Sequence, residues 1–198
     1  LNSNGTKNPY YGMPLLDDEL GPIGNTTPDW TAGIRNTFTY KGITLSGLLD
    51  IRKGGDLMNM DLYYTSYYGT AKVTEDRGTK MIVDGVKADG AKNDIEIVKD
   101  QFYYQNQYST IDEYFVEDGS FIKLRELTLS YALPKALVQR LNLEAVSLSA
   151  TGRNLWIDSN FTYRDPEGSL YGNGNAQGFY HAVTPSTKGL TFGVNVSF

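Results

Sequence analysis

The sequence predicts an all-β, membrane-spanning fold, and three observations predict it. The final nine residues alternate without a break, with Leu190, Phe192, Val194, Val196 and Phe198 apolar and Thr191, Gly193, Asn195 and Ser197 small or polar. A strand sends successive side chains to opposite faces, so this one has an apolar face and a polar face, as a barrel wall between lipid and lumen needs. A second alternating pair is joined by the minimal turn Lys41-Gly42. Third, compact connections alternate with long ones rich in Gly, Asn, Asp and Tyr, which is how bacterial barrels separate periplasmic turns from extracellular loops. A soluble β-sandwich can also end on an alternating strand, and the remaining elements bear on that choice.

Residues 1–29 read as an extracellular lead-in, followed by a barrel portion over 30–198. The first strand, 30–40, has Trp30, Ala32, Ile34, Asn36, Phe38 and Tyr40 on one nearly all-apolar face and Thr31, Gly33, Arg35, Thr37 and Thr39 on the other. The second, 43–52, opposes Ile43, Leu45, Gly47, Leu49 and Ile51 to Thr44, Ser46, Leu48, Asp50 and Arg52. A long loop spans about 53–120. The third strand, 121–131, changes phase, because Ile122 and Leu124 share one parity and Leu127, Leu129 and Tyr131 the other; a bulge near Arg125-Glu126 reconciles them. Pro134 then opens a short turn of helix. The fourth strand, 145–156, is weakened on its apolar side by Gly152 and Asn154, and a second long loop, about 157–189, leads to the fifth strand, 190–198. Tracing from Lys41-Gly42 as a periplasmic turn leaves Phe198 on the periplasmic side. Five antiparallel strands are too few to close a barrel, so the chain reads as one portion of a larger one.

Composition agrees. Among 198 residues there are 15 tyrosines, 21 glycines and no cysteine, which removes disulfides and thiolate chemistry. A net charge of −5 without a basic stripe argues against nucleic acid. Leu1 to Pro9 lacks a signal-peptide pattern, so a signal for export is expected elsewhere in a longer chain. Arg35, Asp50, Arg52 and Arg153 all fall on the polar, lumen-facing parity, where a charge stays hydrated.

No catalytic, cofactor or metal site is expected. His181 stands in a Gly/Asn/Tyr-rich loop with no evident serine or carboxylate partner. Asp84 to Asp94 lacks the spacing of a calcium loop and reads as a turn, and Asp165-Pro166-Glu167 reads as a rigid turn. The aromatic groups Tyr63, Tyr64, Tyr67, Tyr68 and Phe102, Tyr103, Tyr104, Tyr108 are candidates for substrate or loop contact; they suit an interfacial girdle, packing of the loop on itself, or flat faces for sugars or peptide side chains. Phe198 is the candidate assembly signal of the barrel.

Four stretches carry a resemblance. They are Thr27-Pro28-Asp29-Trp30 leading to Asn36-Thr37-Phe38-Thr39-Tyr40-Lys41-Gly42 and Arg52-Lys53-Gly54-Gly55-Asp56; Asp84-Gly85-Val86 with Asp89-Gly90 and Asn93; Asp118-Gly119-Ser120-Phe121-Ile122-Lys123-Leu124-Arg125-Glu126-Leu127-Thr128-Leu129-Ser130-Tyr131 before Leu133-Pro134; and Gly152-Arg153-Asn154-Leu155, Asp165-Pro166-Glu167 and the terminal strand. In order and spacing the chain resembles the carboxyl-terminal end of SusC/RagA-type TonB-dependent outer-membrane transporters. One departure is that Asp17-Asp18-Glu19-Leu20-Gly21 lacks the acidic spacing many relatives carry before the first strand, so no calcium site is carried over.

The resemblance implies the last five strands of a plugged barrel of the roughly 22-stranded type in the outer membrane. It implies import of oligosaccharides or peptides, with lipid around the wall, a SusD-like surface lipoprotein as partner, and a TonB complex reached through an amino-terminal part outside this sequence. The rival readings are a soluble or surface β-sandwich that binds glycan and a passive porin.

Overall fold

The computed structural model describes residues 5–162, 165–168, 171 and 177–198. β1 (Pro28–Tyr40) and β2 (Ile43–Gly54) form a hairpin whose turn residues, Lys41 and Gly42, have φ of 47° and 83°. Positive φ at both central positions is what a twisted two-residue hairpin demands. The connection that follows holds β3 (Asp56–Asn59), α1 (Met60–Tyr67), β4 (Lys80–Ile82), β5 (Glu96–Val98), α2 (Gln101–Asn106) and β6 (Val116–Asp118). Next come β7 (Phe121–Ala132), α3 (Lys135–Val138), β8 (Ala145–Ser159), β9 (Phe179–Tyr180) and β10 (Gly189–Ser197).

The five long strands make one antiparallel sheet in the order β1-β2-β7-β8-β10. Register aligns their apolar sides across the whole width: Phe38 faces Leu45, Leu45 faces Leu129, Leu129 faces Ala150 and Ala150 faces Phe192. Among the described residues nothing covers this face, and Phe38 and Phe192 are 68% and 80% exposed. The opposite face is polar and hydrogen-bonded across strands, as in Thr37–Ser46 and Thr39–Thr44, both 3.0 Å, and Thr128–Thr151 at 2.9 Å. The phase change in β7 is a bulge at Arg125. Leu48 pairs with Glu126 and Leu49 with Leu124, leaving Arg125 extra, and on the other side Asn154 (φ 50°) and Leu155 fall between paired positions. Leu155 folds against Gly152, where a Cβ would lie 2.8 Å from it, and so restores an apolar surface at the glycine.

Aromatic residues bound the apolar face. On β1 they are Trp30 and Tyr40, ten positions apart, or about 33 Å along a strand. At the 35–45° tilt of membrane barrels that spans about 25 Å, the height of a barrel's apolar band. The boundary is also stepped. Trp156 stands in the row of Ile34, Leu49 and Leu124, four positions from Trp30 along β1, while Phe198 lies four positions beyond the row of Tyr40, Ile43, Tyr131, Leu148 and Val194. Both limits therefore slide in the same direction by about one residue per strand, the stagger a tilted barrel requires.

The buried core sits at one end of this sheet, among the connections. Leu57, Phe161 and Tyr180 pack together with Val183 against them. Residues 53–120 and 157–189, expected as long loops, are instead partly structured: β3 pairs with β6 and with β9, and β4 with β5. These strands are two to four residues long and carry no readable periodicity; tertiary contacts define them. β10 stops at Ser197, one residue before Phe198.

Candidate functional site

The two aromatic groups singled out from the sequence meet in one assembly. Asn59 is fully buried; its side chain accepts from Leu62 N at 2.9 Å, starting α1, and donates to Glu117 at 2.6 Å. Asp100 caps α2 by accepting from Tyr103 N at 2.9 Å. α1 carries Tyr63, Tyr64 and Tyr67, with Tyr68 at its end, and α2 carries Phe102, Tyr103 and Tyr104. Tyr63 and Tyr108 both set ring edges against Phe115, which has no exposed surface, at centroid distances of 5.3 and 5.6 Å. Tyr108 in turn meets Tyr103, Tyr104 and Tyr114, and Phe102 meets Tyr10. Most of this aromatic surface packs the connection on itself, while Tyr64, Tyr68 and Tyr114 keep faces open to solvent.

Burial, then the hydrogen bond to Asp76, pushes the Tyr104 phenol far above its ordinary value; its hydroxyl donates to the Asp76 carboxylate at 2.8 Å. Burial likewise raises Tyr63, Tyr103 and Tyr108. Phenols held neutral in this way serve as apolar faces and hydrogen-bond donors, and none is prepared as a base. His181, expected to stand alone, has a partner: Asp61 lies 2.9 Å from Nδ1 and also accepts from Ala182 N at 2.9 Å. The pair is 120 positions apart in the chain, so no local pattern signals it. It ties the second long connection to α1, against Tyr64 at 5.1 Å. No group of three or more metal-ligating side chains occurs among the described residues.

A second constellation was not anticipated. Lys123, on the polar face of β7, is 1% exposed. Its ammonium contacts Glu167 at 2.5 Å, Ser186 at 2.6 Å and Asp165 at 3.6 Å. Arg125, carried inward by the bulge, bridges Asp50 at 2.6 Å and Glu167. Asp165 also accepts from the Ser186 amide and hydroxyl at 2.7 and 2.6 Å. Burial raises the Asp165 and Glu167 carboxyls, but their hydrogen bonds outweigh it, from Ser186 for the first and from Arg125 and Lys123 for the second, so both lie below the ordinary range. The sequence Asp165-Pro166-Glu167 is thus more than a turn; it is the acidic half of a clasp on the polar face. The lumen-parity residues expected there also find partners. Arg35 and Arg153 approach Glu126 at 3.5 and 3.7 Å, Asp50 meets Arg125, and Arg52 donates to the carbonyls of Gly54 and Thr26, both at 3.3 Å.

The chain is similar to known proteins in sequence and in backbone. The chain is 27% identical over 182 residues to TonB-dependent receptor P3 of Formosa agariphila and 28% identical over 191 residues to TonB-dependent receptor P26 of the same organism, covering 89% and 93% of this chain. Its backbone matches the RagAB peptide importer in the "closed-closed" state with a TM-score of 0.63 at 22% identity, over 87% of this chain and 18% of that one. The chain resembles the SusC/RagA type of TonB-dependent transporter. No protein-family model matches it. It spans 17% and 18% of the length of the two curated relatives. These likenesses place the chain in the bacterial outer membrane, and its antiparallel sheet matches the fold of the RagAB chain.

Proposed function

We propose that this segment forms part of the wall and mouth of an outer-membrane importer for oligosaccharides or peptides, energised through a TonB complex and served by a SusD-like surface lipoprotein. One observation carries the reading: a five-strand apolar face with nothing over it, bounded by aromatics about 25 Å apart. In water such a surface would cost about 25 cal/mol for each Å² left uncovered, whereas lipid accepts it. A β-sandwich would need a second sheet over this face, and among the described residues none lies there. The passive-porin reading lacks support from the relatives, which are named receptors dependent on TonB. In this scheme the segment is the carboxyl-terminal five strands, the long connections lie outside the cell, and the open faces of Tyr64, Tyr68 and Tyr114 are offered to substrate or lipoprotein.

Purification of the native protein from outer membranes in mild detergent, with mass spectrometry of what accompanies it, tests the reading. Recovery within one much longer polypeptide together with a surface lipoprotein is expected, with loss of uptake of either peptides or oligosaccharides when TonB is deleted. Recovery as a free soluble chain of this size would overturn it.

A further inference from the structure

We infer that Lys123 and Arg125 act as a clasp that holds residues 165–168 and 186, between β8 and β10, inside the barrel, where they narrow the passage along this wall. Lys123 is then a positioning residue for import, setting the size of what passes. The inference rests on the barrel reading above and deepens it.

Depth is the first argument. β7 enters the sheet at Phe121, and Arg125 lies four positions on, about 13 Å along the strand. At barrel tilt this is about 10 Å below the rim. Leu124, beside Arg125, pairs with Trp156 of the upper aromatic boundary, so the loop carboxylates reach inward to membrane level rather than resting above it. Side is the second argument. Lys123 shares the polar parity with Asp50, its register partner, and Arg125 contacts that same Asp50, so Asp165 and Glu167 approach from the lumen. Burial is the third. At the rim the polar face is closed, with Phe121, Lys123, Phe161, Asp165 and Pro166 all buried, whereas Arg35, Arg153 and Thr191 farther along the same face stay open. An exposed loop ion pair would contribute little, but a lysine withdrawn from water requires its partners in place, which makes the folded-in position strongly favoured over a free one.

The test uses the complete transporter in its native membrane. This segment has no cysteine, so Thr191→Cys, on the polar face below the clasp, gives a reporter within it. External labelling by a polyethylene-glycol maleimide is compared with labelling by N-ethylmaleimide. Lys123→Met should raise the large-to-small rate ratio by about tenfold or more and make residues 165–168 protease-sensitive, because access follows the population of the open form. Lys123→Arg should keep the parent ratio. Heat-modifiable electrophoretic mobility verifies assembly of each variant, and Glu167→Gln replaces Lys123→Met if the latter fails to assemble. A parent-like ratio in assembled Lys123→Met or Glu167→Gln, with or without new protease cleavage, would overturn the inference. Absence of heat-modifiable mobility in the parent protein would instead overturn the barrel reading beneath it.

Discussion

Val194→Arg is the substitution that most directly probes which side of the sheet meets lipid. Val194 sits on β10 midway between Leu190 and Phe198, four positions from each, and is 69% exposed on the apolar face. Its neighbour across the ladder is Leu148, so no acidic side chain on the facing strand stands ready to pair with a guanidinium. At the midplane of a membrane barrel an arginine costs about 2–4 kcal/mol, which is roughly 30-fold to 1,000-fold in the folding equilibrium. Asn195→Arg, one position along on the polar face, should cost less than about 1 kcal/mol, since a lumen-facing charge stays hydrated. Phe198→Arg, at the interface, should cost about 0–1 kcal/mol from the charge. Reversible urea unfolding of the complete protein in lipid vesicles measures all three. Equal costs for Val194→Arg and Asn195→Arg, or a larger cost for Asn195→Arg, would refute the two-sided assignment of the wall.

Acid should release the inner clasp only well below neutrality. The Asp165 and Glu167 carboxyls lie below their ordinary range in the folded chain, so their contribution is complete above about pH 4.5 and is lost as pH falls through the lowered values; protease resistance of residues 165–168 should hold at pH 5 and fail in stronger acid. Gly55→Ala should destabilise the mouth by about 1–3 kcal/mol, because Gly55 has φ of 85° and packs on the Arg52 guanidinium and the Thr26 carbonyl; a lowered unfolding midpoint in denaturant checks it. Tyr104→Phe removes the hydroxyl held by Asp76 and by the Val73 carbonyl at 3.2 Å and should cost about 1 kcal/mol. The same change should raise the titration of Asp76, whose carboxyl is lowered first by Lys99 and next by Tyr104, as followed by carboxyl chemical shifts in the isolated connection or the intact protein.

The wall was legible because its signal repeats. Two-residue periodicity over nine or more positions fixed each long strand to within three residues, and the break in parity between Leu124 and Leu127 located the bulge that the ladder places at Arg125. The connections were opaque because their elements are too short for any period to appear. α1 and α2 form around caps at Asn59 and Asp100 and around Phe115, none of which announces a helix of six or eight residues. The clasp was hidden for another reason. A lysine at the polar parity of a strand reads as a hydrated lumen residue, and its partners lie 42 to 63 positions later in a connection without pattern. The Asp61–His181 contact is more distant still. Sequence reported which face each residue takes, but not what lies across from it.

The stepped aromatic boundary amounts to a ruler for strands outside this sheet. If the limits of the apolar band move by about one position per strand on average, a neighbour hydrogen-bonded to the free side of β1 carries its outer aromatic in the row of Trp30 or two positions farther from the hairpin turn, because a one-position offset would turn it to the lumen. A neighbour on the free side of β10 likewise carries its limit in the row of Phe198 or two positions beyond it. A candidate strand with a suitable alternation but the wrong offset would put a charge in hydrocarbon or an aromatic in water. The sheet thus constrains the alignment of whatever pairs with its two edges before any of those residues is known.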